Sequence, residues 1–318
     1  MRAATIRDNE IVIEQHPDPE PGHGEVLVRV HAAGLNGADM MQRRGLYPAP
    51  PGSPVDIPGM ELAGEVAALG PGVERFDIGA RVMAIVGGGA QAELCLVHER
   101  QLMPVPDGLD WPAAGGLPEV FATAHDAVFT QGELRTGEHL LVHGGAGGVG
   151  TAAVQLAHAA GARVTATVRG EAHRDEVAQL GASVIAPDGF AEHGPFDVIL
   201  ELVGAPNMPE NLNALATGGR IAVIGVSAGA KSELNLLALM GKRARIHGST
   251  LRARSLEDKA IVARLLEREV LPLFHSGALR VPIAATFALD EAAAAYERFA
   301  AGGKLGKVVI AIDATDAR

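Results

Sequence analysis

The feature that most constrains this chain is the run Gly145, Ala146, Gly147, Gly148, Val149 and Gly150, which fits the pattern G-x-G-x-x-G. It follows the apolar stretch HLLVH at 139–143, opens a helix-forming stretch at 151–160, and precedes a second strand-forming stretch, GARVTATV. In this context the pattern makes a phosphate cradle. Gly145 permits the tight turn, Gly147 lets the backbone approach a pyrophosphate, and Gly150 allows close contact of helix and strand. The helix N-terminus offers unbonded N–H groups to the anion. From 138 onward short apolar runs alternate with helix-length segments, which predicts an α/β fold with a parallel sheet and crossover connections. The strands are read at 139–143, 164–168, 183–185, 197–202, 220–224 and 245–248, enough for a complete doubly wound Rossmann sheet.

The first third differs. Strand-forming runs at 25–31, 62–69, 81–85 and 92–97 are punctuated by the proline-rich stretch 48–58 and the turn 70–72, which predicts a β-rich domain. Past the parallel sheet, Ser255 with Asp258 three residues on reads as the N-terminus of a helix burying Leu256, Leu265, Leu266 and Val270. A second short helix begins after Asp290 and stops at Gly302 and Gly303. The run 307–312 then reads as a strand returning to the first domain.

Composition narrows the functional classes. With 38 acidic against 27 basic residues the formal charge is −11, which opposes nucleic acid and anionic membrane as partners. The start of the sequence has no apolar signal core and no long apolar run follows, so a cytoplasmic location is expected. A single cysteine, Cys95, lies in the apolar run LCLV and reads as a small buried hydrophobe, which leaves no paired thiolates for a structural zinc site. His139 and His143 are four apart, but on a strand that separates them by about 13 Å. They cannot share one metal.

Cofactor choice turns on the end of the second strand, where an Asp or Glu would bond the ribose hydroxyl of NAD. Here the strand ends in Val168 and Arg169. A cation suits a 2′-phosphate, so NADPH is expected over NADH, with Glu171 the nearby group that can reach a ribose.

The segments LNGADMMQRRGLYPAPPG (35–52), PGMELAGEV (58–66), GGGAQAELCLV (87–97), HGGAGGVGTAAVQLA (143–157) and LGKVVI (305–310) together make the chain resemble a known family. It is similar to the zinc-independent quinone oxidoreductases, the zeta-crystallin-like group of the medium-chain dehydrogenase/reductase superfamily. The resemblance spans nearly the whole chain. It implies a GroES-like catalytic domain from residues 1–119 and 255–318, with a Rossmann NADP-binding domain at 120–254 inserted. In the zinc-dependent branch a Cys stands at the position of Asn36 and a His at that of Met60. Neither an amide nor a thioether is a usual zinc ligand, so no metal is expected here.

The resemblance also implies roles for particular residues. Asn36 and Tyr47 would lie near the nicotinamide and the substrate, the amide orienting a carbonyl and the phenol donating a hydrogen bond or proton. Thr123 would lie close to the nicotinamide. Cofactor contacts would come from Gly145 to Gly150, Arg169, Val203, Gly225, Val226, Ser227, Gly248 and Ser249. Two positions depart from the family: its phosphate-binding lysine aligns with His173, and its adenosine-side tyrosine aligns with Asp188. The expected activity is NADPH-dependent reduction of a quinone by hydride transfer, in a homodimer joined at the sixth strands. Reduction of an activated alkene and low-turnover nucleotide binding are the alternatives.

Overall fold

The computed structural model describes residues 1–312. Contacts divide the chain into two units, one of Met1–Val120, Leu251–Gly303 and the chain from Lys307, the other of Phe121–Thr250 and Lys304–Gly306. The sequence places the end of the inserted domain at 254, and residues 313–318, assigned to the GroES-like domain, lie outside the described residues.

In the first unit a seven-stranded sheet runs in the order Ile283–Ala288, Lys307–Ala311, Glu25–Gly34, Glu61–Leu69, Arg81–Ile85 and Met103–Pro104, with Leu94–His98 also paired to Glu25–Gly34. The C-terminal strand does return here, antiparallel to Glu25–Gly34. Alternation along Glu25–Gly34 sends Val26, Val28 and Val30 into one core with Leu62, Val82, Val97 and Ile310. Besides the two-residue strand Met103–Pro104, two strand features were not anticipated. One is the hairpin Arg2–Arg7 with Glu10–Gln15, turned at Asp8 and Asn9, which both take positive φ. The other is Ile283–Ala288, whose small residues carry little strand propensity but pair in parallel with Lys307–Ala311.

The second unit is the expected parallel sheet. Its strands, first to sixth in chain order, are His139–His143, Arg163–Thr167, Ser183–Ile185, Phe196–Glu201, Leu215–Val223 and Arg245–Gly248. Their spatial order is third, second, first, fourth, fifth, sixth, every pair parallel. The order reverses between the first and fourth strands, and the crevice at their carboxyl ends is where such sheets take ligands. The fifth strand starts five residues earlier than expected, because Leu215 already pairs with Phe196 ahead of an irregularity at 216–219, where Gly218 takes a φ of 81°.

The helix Leu256–Glu269 begins at Ser255, whose hydroxyl accepts the Asp258 N–H at 3.1 Å. It buries Ala260, Val262, Ala263 and Leu266. Leu256 and Leu265 are only half-buried, which corrects the expected face: the buried stripe lies over the small residues. Cys95 is buried as expected, and burial pushes its thiol up to about 12. No helix among the described residues is long and apolar enough to cross a membrane.

Candidate functional site

The glycine run folds into a turn closed on itself. Gly144 takes a positive φ of 72°, the Gly145 N–H bonds the Thr167 carbonyl at 3.0 Å, and the Gly147 N–H bonds the Gly144 carbonyl at 3.0 Å. The helix Gly148–Ala159 starts immediately, with Gly147 as its N-terminal cap. The Gly306 N–H reaches the Ala146 carbonyl at 2.8 Å, so LGKVVI contributes to this turn.

The glycines are not equivalent. A Cβ on Gly145 would sit 2.8 Å from the Ala166 Cβ, and one on Gly150 would sit 2.3 Å from the Gly144 carbonyl oxygen. Packing within the protein demands glycine at both. A Cβ on Gly147 would meet nothing closer than the Gly144 carbonyl oxygen at 3.5 Å, and its φ of −73° suits any residue. Nothing in the protein requires glycine at 147. The vacant space lies at the N-terminus of a twelve-residue helix, so the residues present fit a pyrophosphate approaching that backbone.

Beneath this turn runs a buried polar chain that sequence reasoning missed. The Thr167 hydroxyl lies 3.2 Å from both the Gly144 N–H and His143 Nδ1. His143 Nε2 meets Asn211 Oδ1 at 2.7 Å, and Asn211 Nδ2 donates to Glu201 Oε2 at 2.7 Å. Glu201 Oε1 accepts the N–H groups of Val203 and Gly204 at 2.7 and 2.8 Å. Burial holds His143 below the usual histidine range, against the attraction of the Glu201 carboxylate and the bond to Asn211. The signal was available: His143, Thr167 and Glu201 are the polar last residues of their strands, each directly after an apolar residue.

Other expected contact residues sit at the same ends of the sheet. The Val203 N–H goes to Glu201 and its carbonyl accepts from the Ala228 N–H at 2.9 Å, so its backbone N–H is already used within the protein. The Gly225 N–H is bonded to the Glu201 carbonyl at 3.1 Å, and Cβ at 225 would meet the Leu202 oxygen at 2.3 Å. Val226 and Ser227 are exposed on the following turn. Gly248 ends the sixth strand, and the Ser249 hydroxyl donates to Asp126 at 2.9 Å. Thr123 is buried in the helix Pro118–His125.

After the second strand, Arg169 is exposed. His173, which aligns with the family's phosphate-binding lysine, has Nδ1 at 2.7 Å from Glu176, and Arg174 pairs with Glu171 at 3.8 Å. Each carries its own carboxylate, and Glu171 is engaged by Arg174. Asp188 is exposed.

In the first unit Asn36 is not a free amide. Its Nδ2 donates to Glu61 at 2.9 Å, and its Oδ1 accepts from the Lys307 ammonium at 2.7 Å. Lys307 also pairs with Glu61 at 2.6 Å and donates to the Leu35 carbonyl at 2.8 Å, with both charged residues buried. The protein's own cation thus occupies the amide oxygen, which revises the expectation that this amide is available to orient a carbonyl. Met60 is buried beside Glu61.

Tyr47 is half-buried, held by Arg252, a fully buried arginine whose guanidinium lies over its ring at 5.2 Å and donates to its carbonyl at 3.1 Å. Arg252 also bonds the Gly87 carbonyl at 2.7 Å and Gln42 at 2.6 Å, tying the proline-rich loop to the glycine turn at 87–89. Among the described residues no group of three or more His, Cys, Asp or Glu side chains is placed to hold a metal.

Asp39, fully buried, accepts the N–H groups of Asn36 at 2.8 Å and Gly59 at 3.1 Å. Burial pushes it up to about 6 despite these bonds and the nearby Lys307 and Arg252. Its folded value lies above its unfolded one, so the native state holds the extra proton between about pH 4 and 6, and this contribution is lost as pH rises through 6. Wild type should therefore lose roughly 3 kcal/mol relative to Asp39→Asn between pH 4 and 7, read from paired denaturant titrations. A constant gap across that range would contradict it.

A family model described as alcohol dehydrogenase GroES-like domain matches residues 22–107, and one described as zinc-binding dehydrogenase matches residues 148–268. The quinone oxidoreductase of Rattus norvegicus is 32% identical over 305 residues, covering 92% of this chain and 90% of its own. The chain belongs to the medium-chain dehydrogenase/reductase superfamily, in its quinone oxidoreductase-like group. Like its superfamily, this oxidoreductase combines a GroES-like β domain with a Rossmann-type sheet. Among solved structures, an alcohol dehydrogenase superfamily protein from Novosphingobium aromaticivorans aligns with a TM-score of 0.89 at 31% identity, covering 98% of this chain and 100% of its own. A mycobacterial protein solved in complex with NADPH aligns with a TM-score of 0.87 at 27% identity, with the same coverage.

Proposed function

We propose that this superfamily member is an NADPH-dependent quinone oxidoreductase that works without zinc. The observation that carries the cofactor reading is Gly147, a glycine unexplained by packing at the N-terminus of the helix after the first strand. Gly145 to Gly150 would hold the pyrophosphate, and the exposed Arg169 would meet the 2′-phosphate. Val203, Gly225 to Ser227, Gly248, Ser249 and Thr123 would border the nicotinamide half. When bound, the dinucleotide supplies a hydride. Tyr47, fixed by Arg252, offers a phenol as hydrogen-bond donor to an acceptor oxygen. Asn36 acts within the Lys307–Glu61 cluster, its amide oxygen accepting from the buried ammonium. Similarity to quinone oxidoreductases over 92% of the chain supports the acceptor class.

The test is absorbance at 340 nm with NADPH or NADH against 1,2-quinones, 1,4-quinones and enones. Rapid oxidation of NADPH by quinones is expected, and Arg169→Ala should raise KM for NADPH about tenfold with KM for NADH unchanged. Turnover with enones alone would move the assignment to alkene reduction. Binding without turnover would make it a nucleotide-binding protein.

The partner we propose is a second copy of the chain, paired through the sixth strand. That strand is an edge of the parallel sheet, and Leu236, Leu237 and Met240 lie exposed on the helix preceding it. Light scattering should give twice the chain mass, and Leu237→Asp should halve it. A monomeric wild type would refute the pairing.

A further inference from the structure

We infer that Thr167, His143, Asn211 and Glu201 form a one-way hydrogen-bond relay whose task is to hold the glycine turn and the 203–204 turn at a fixed spacing, making them positioning residues for the dinucleotide. This rests on the cofactor reading above. The two turns are neighbours: a Cβ on Gly144 would lie 3.8 Å from both the Leu202 Cβ and Val203 Cγ2. Each is anchored from below by a backbone N–H, Gly144 at one end of the relay and Val203 with Gly204 at the other.

The direction of every bond follows from chemistry. Glu201 as a carboxylate only accepts, so Asn211 must present its NH2 group to Oε2 and its carbonyl oxygen to His143. His143 Nε2 must then carry the proton, which leaves Nδ1 an acceptor for the Thr167 hydroxyl. The hydroxyl, having donated, accepts from Gly144. Each polar atom has one role, and Phe190 closes the ring's side edge-on at 4.6 Å between centroids. Because burial keeps the imidazole neutral, the proton on Nε2 is the state that satisfies all these bonds. Four polar side chains from separate stretches of sequence, all buried, are more than packing requires. They end on the two backbone turns at the switch point of the sheet.

Glu201→Gln tests the relay because it changes polarity and almost no volume. If the new carbonyl keeps the 203 and 204 N–H groups, its NH2 faces Asn211, which must rotate. Asn211 then offers NH2 to His143, and the imidazole proton must move to Nδ1. The Thr167 hydroxyl is left accepting twice, and its grip on Gly144 weakens. Two readouts follow. Long-range proton–nitrogen NMR of imidazole-labelled protein, with the His143 signal assigned by its loss in His143→Gln, should show Nε2–H in wild type and Nδ1–H in Glu201→Gln. Calorimetric titration with NADPH and with NADH should show about tenfold weaker binding for Glu201→Gln. Thr167→Val should weaken binding similarly while keeping the Nε2–H tautomer, and Thr167→Ser should restore it. Thr167→Val gives the second arm should Glu201→Gln fail to fold.

An Nδ1–H tautomer in wild type would overturn the inference, as would unchanged affinity in the folded Glu201→Gln or Thr167→Val variant. Wild type that binds neither nucleotide would instead refute the cofactor reading, and this inference with it.

Discussion

Gly147→Ala is expected to weaken dinucleotide binding about a hundredfold while leaving the melting temperature within a few degrees of wild type. The added methyl meets no protein atom closer than 3.5 Å, so the fold has nothing to rearrange. It enters the space above the first turn of the helix, where a pyrophosphate must come within hydrogen-bond range of the backbone. Gly150→Ala should behave oppositely. Its methyl would lie 2.3 Å from the Gly144 oxygen, a backbone atom that cannot step aside, so a loss of roughly 1–3 kcal/mol of stability is expected. Calorimetric titration with NADPH beside a thermal melt separates the two outcomes. Gly147→Ala binding like wild type would remove the main physical reason for placing a dinucleotide here, because that glycine would then have neither a packing role nor a ligand role.

The contrast between these glycines shows what a sequence pattern can and cannot carry. G-x-G-x-x-G at 145–150 located the turn and gave each glycine a role, because the backbone conformation it encodes is local. The strands at 139–143, 183–185 and 245–248 were legible to the residue for the same reason: each is a short stretch with a glycine or proline at its end or within two residues of it. Local reasoning failed where the partner lies far along the chain. Lys307 with Asn36, Arg252 with Tyr47, and His143 with Asn211 are separated by tens to hundreds of residues, and no spacing rule connects them. Buried charge in a strand was the available signal, at Glu61 within an apolar run and at Lys307 opening another. The hairpin at residues 2–15 was missed because its turn is Asp8 and Asn9, without the glycine that usually marks positive φ. The revision at Asn36 has the same origin: residue type suggested a free amide, and only the fold supplies the ammonium and carboxylate that saturate it.

That saturation makes Lys307→Met the substitution expected to be most damaging. The three ammonium protons of Lys307 are fully used, on Glu61, Leu35 and Asn36, and Glu61 in turn accepts from Asn36 and from the Glu119 N–H at 2.8 Å. The carboxylate cannot turn toward water, since Glu61 is 0% exposed and a Cβ on Gly34 would already stand 2.3 Å from its oxygen. Removing the lysine leaves a buried, uncompensated charge, which costs about 3–5 kcal/mol. For domains of this size that corresponds to a fall in melting temperature of roughly 10 °C. Glu61→Gln added to Lys307→Met should recover more than half of the loss, because removing both charges of a buried pair is far cheaper than removing one. The same cycle reads the role of Asn36. In the double variant Asn36 Oδ1 has no ammonium to accept from, so if the cluster serves the reaction by fixing the backbone around Asn36, stability should recover but kcat should not. Melting curves with steady-state quinone reduction on the four proteins of the cycle decide it. Equal recovery of stability and kcat would assign the cluster to the fold alone and leave Tyr47 as the polar group acting on the acceptor.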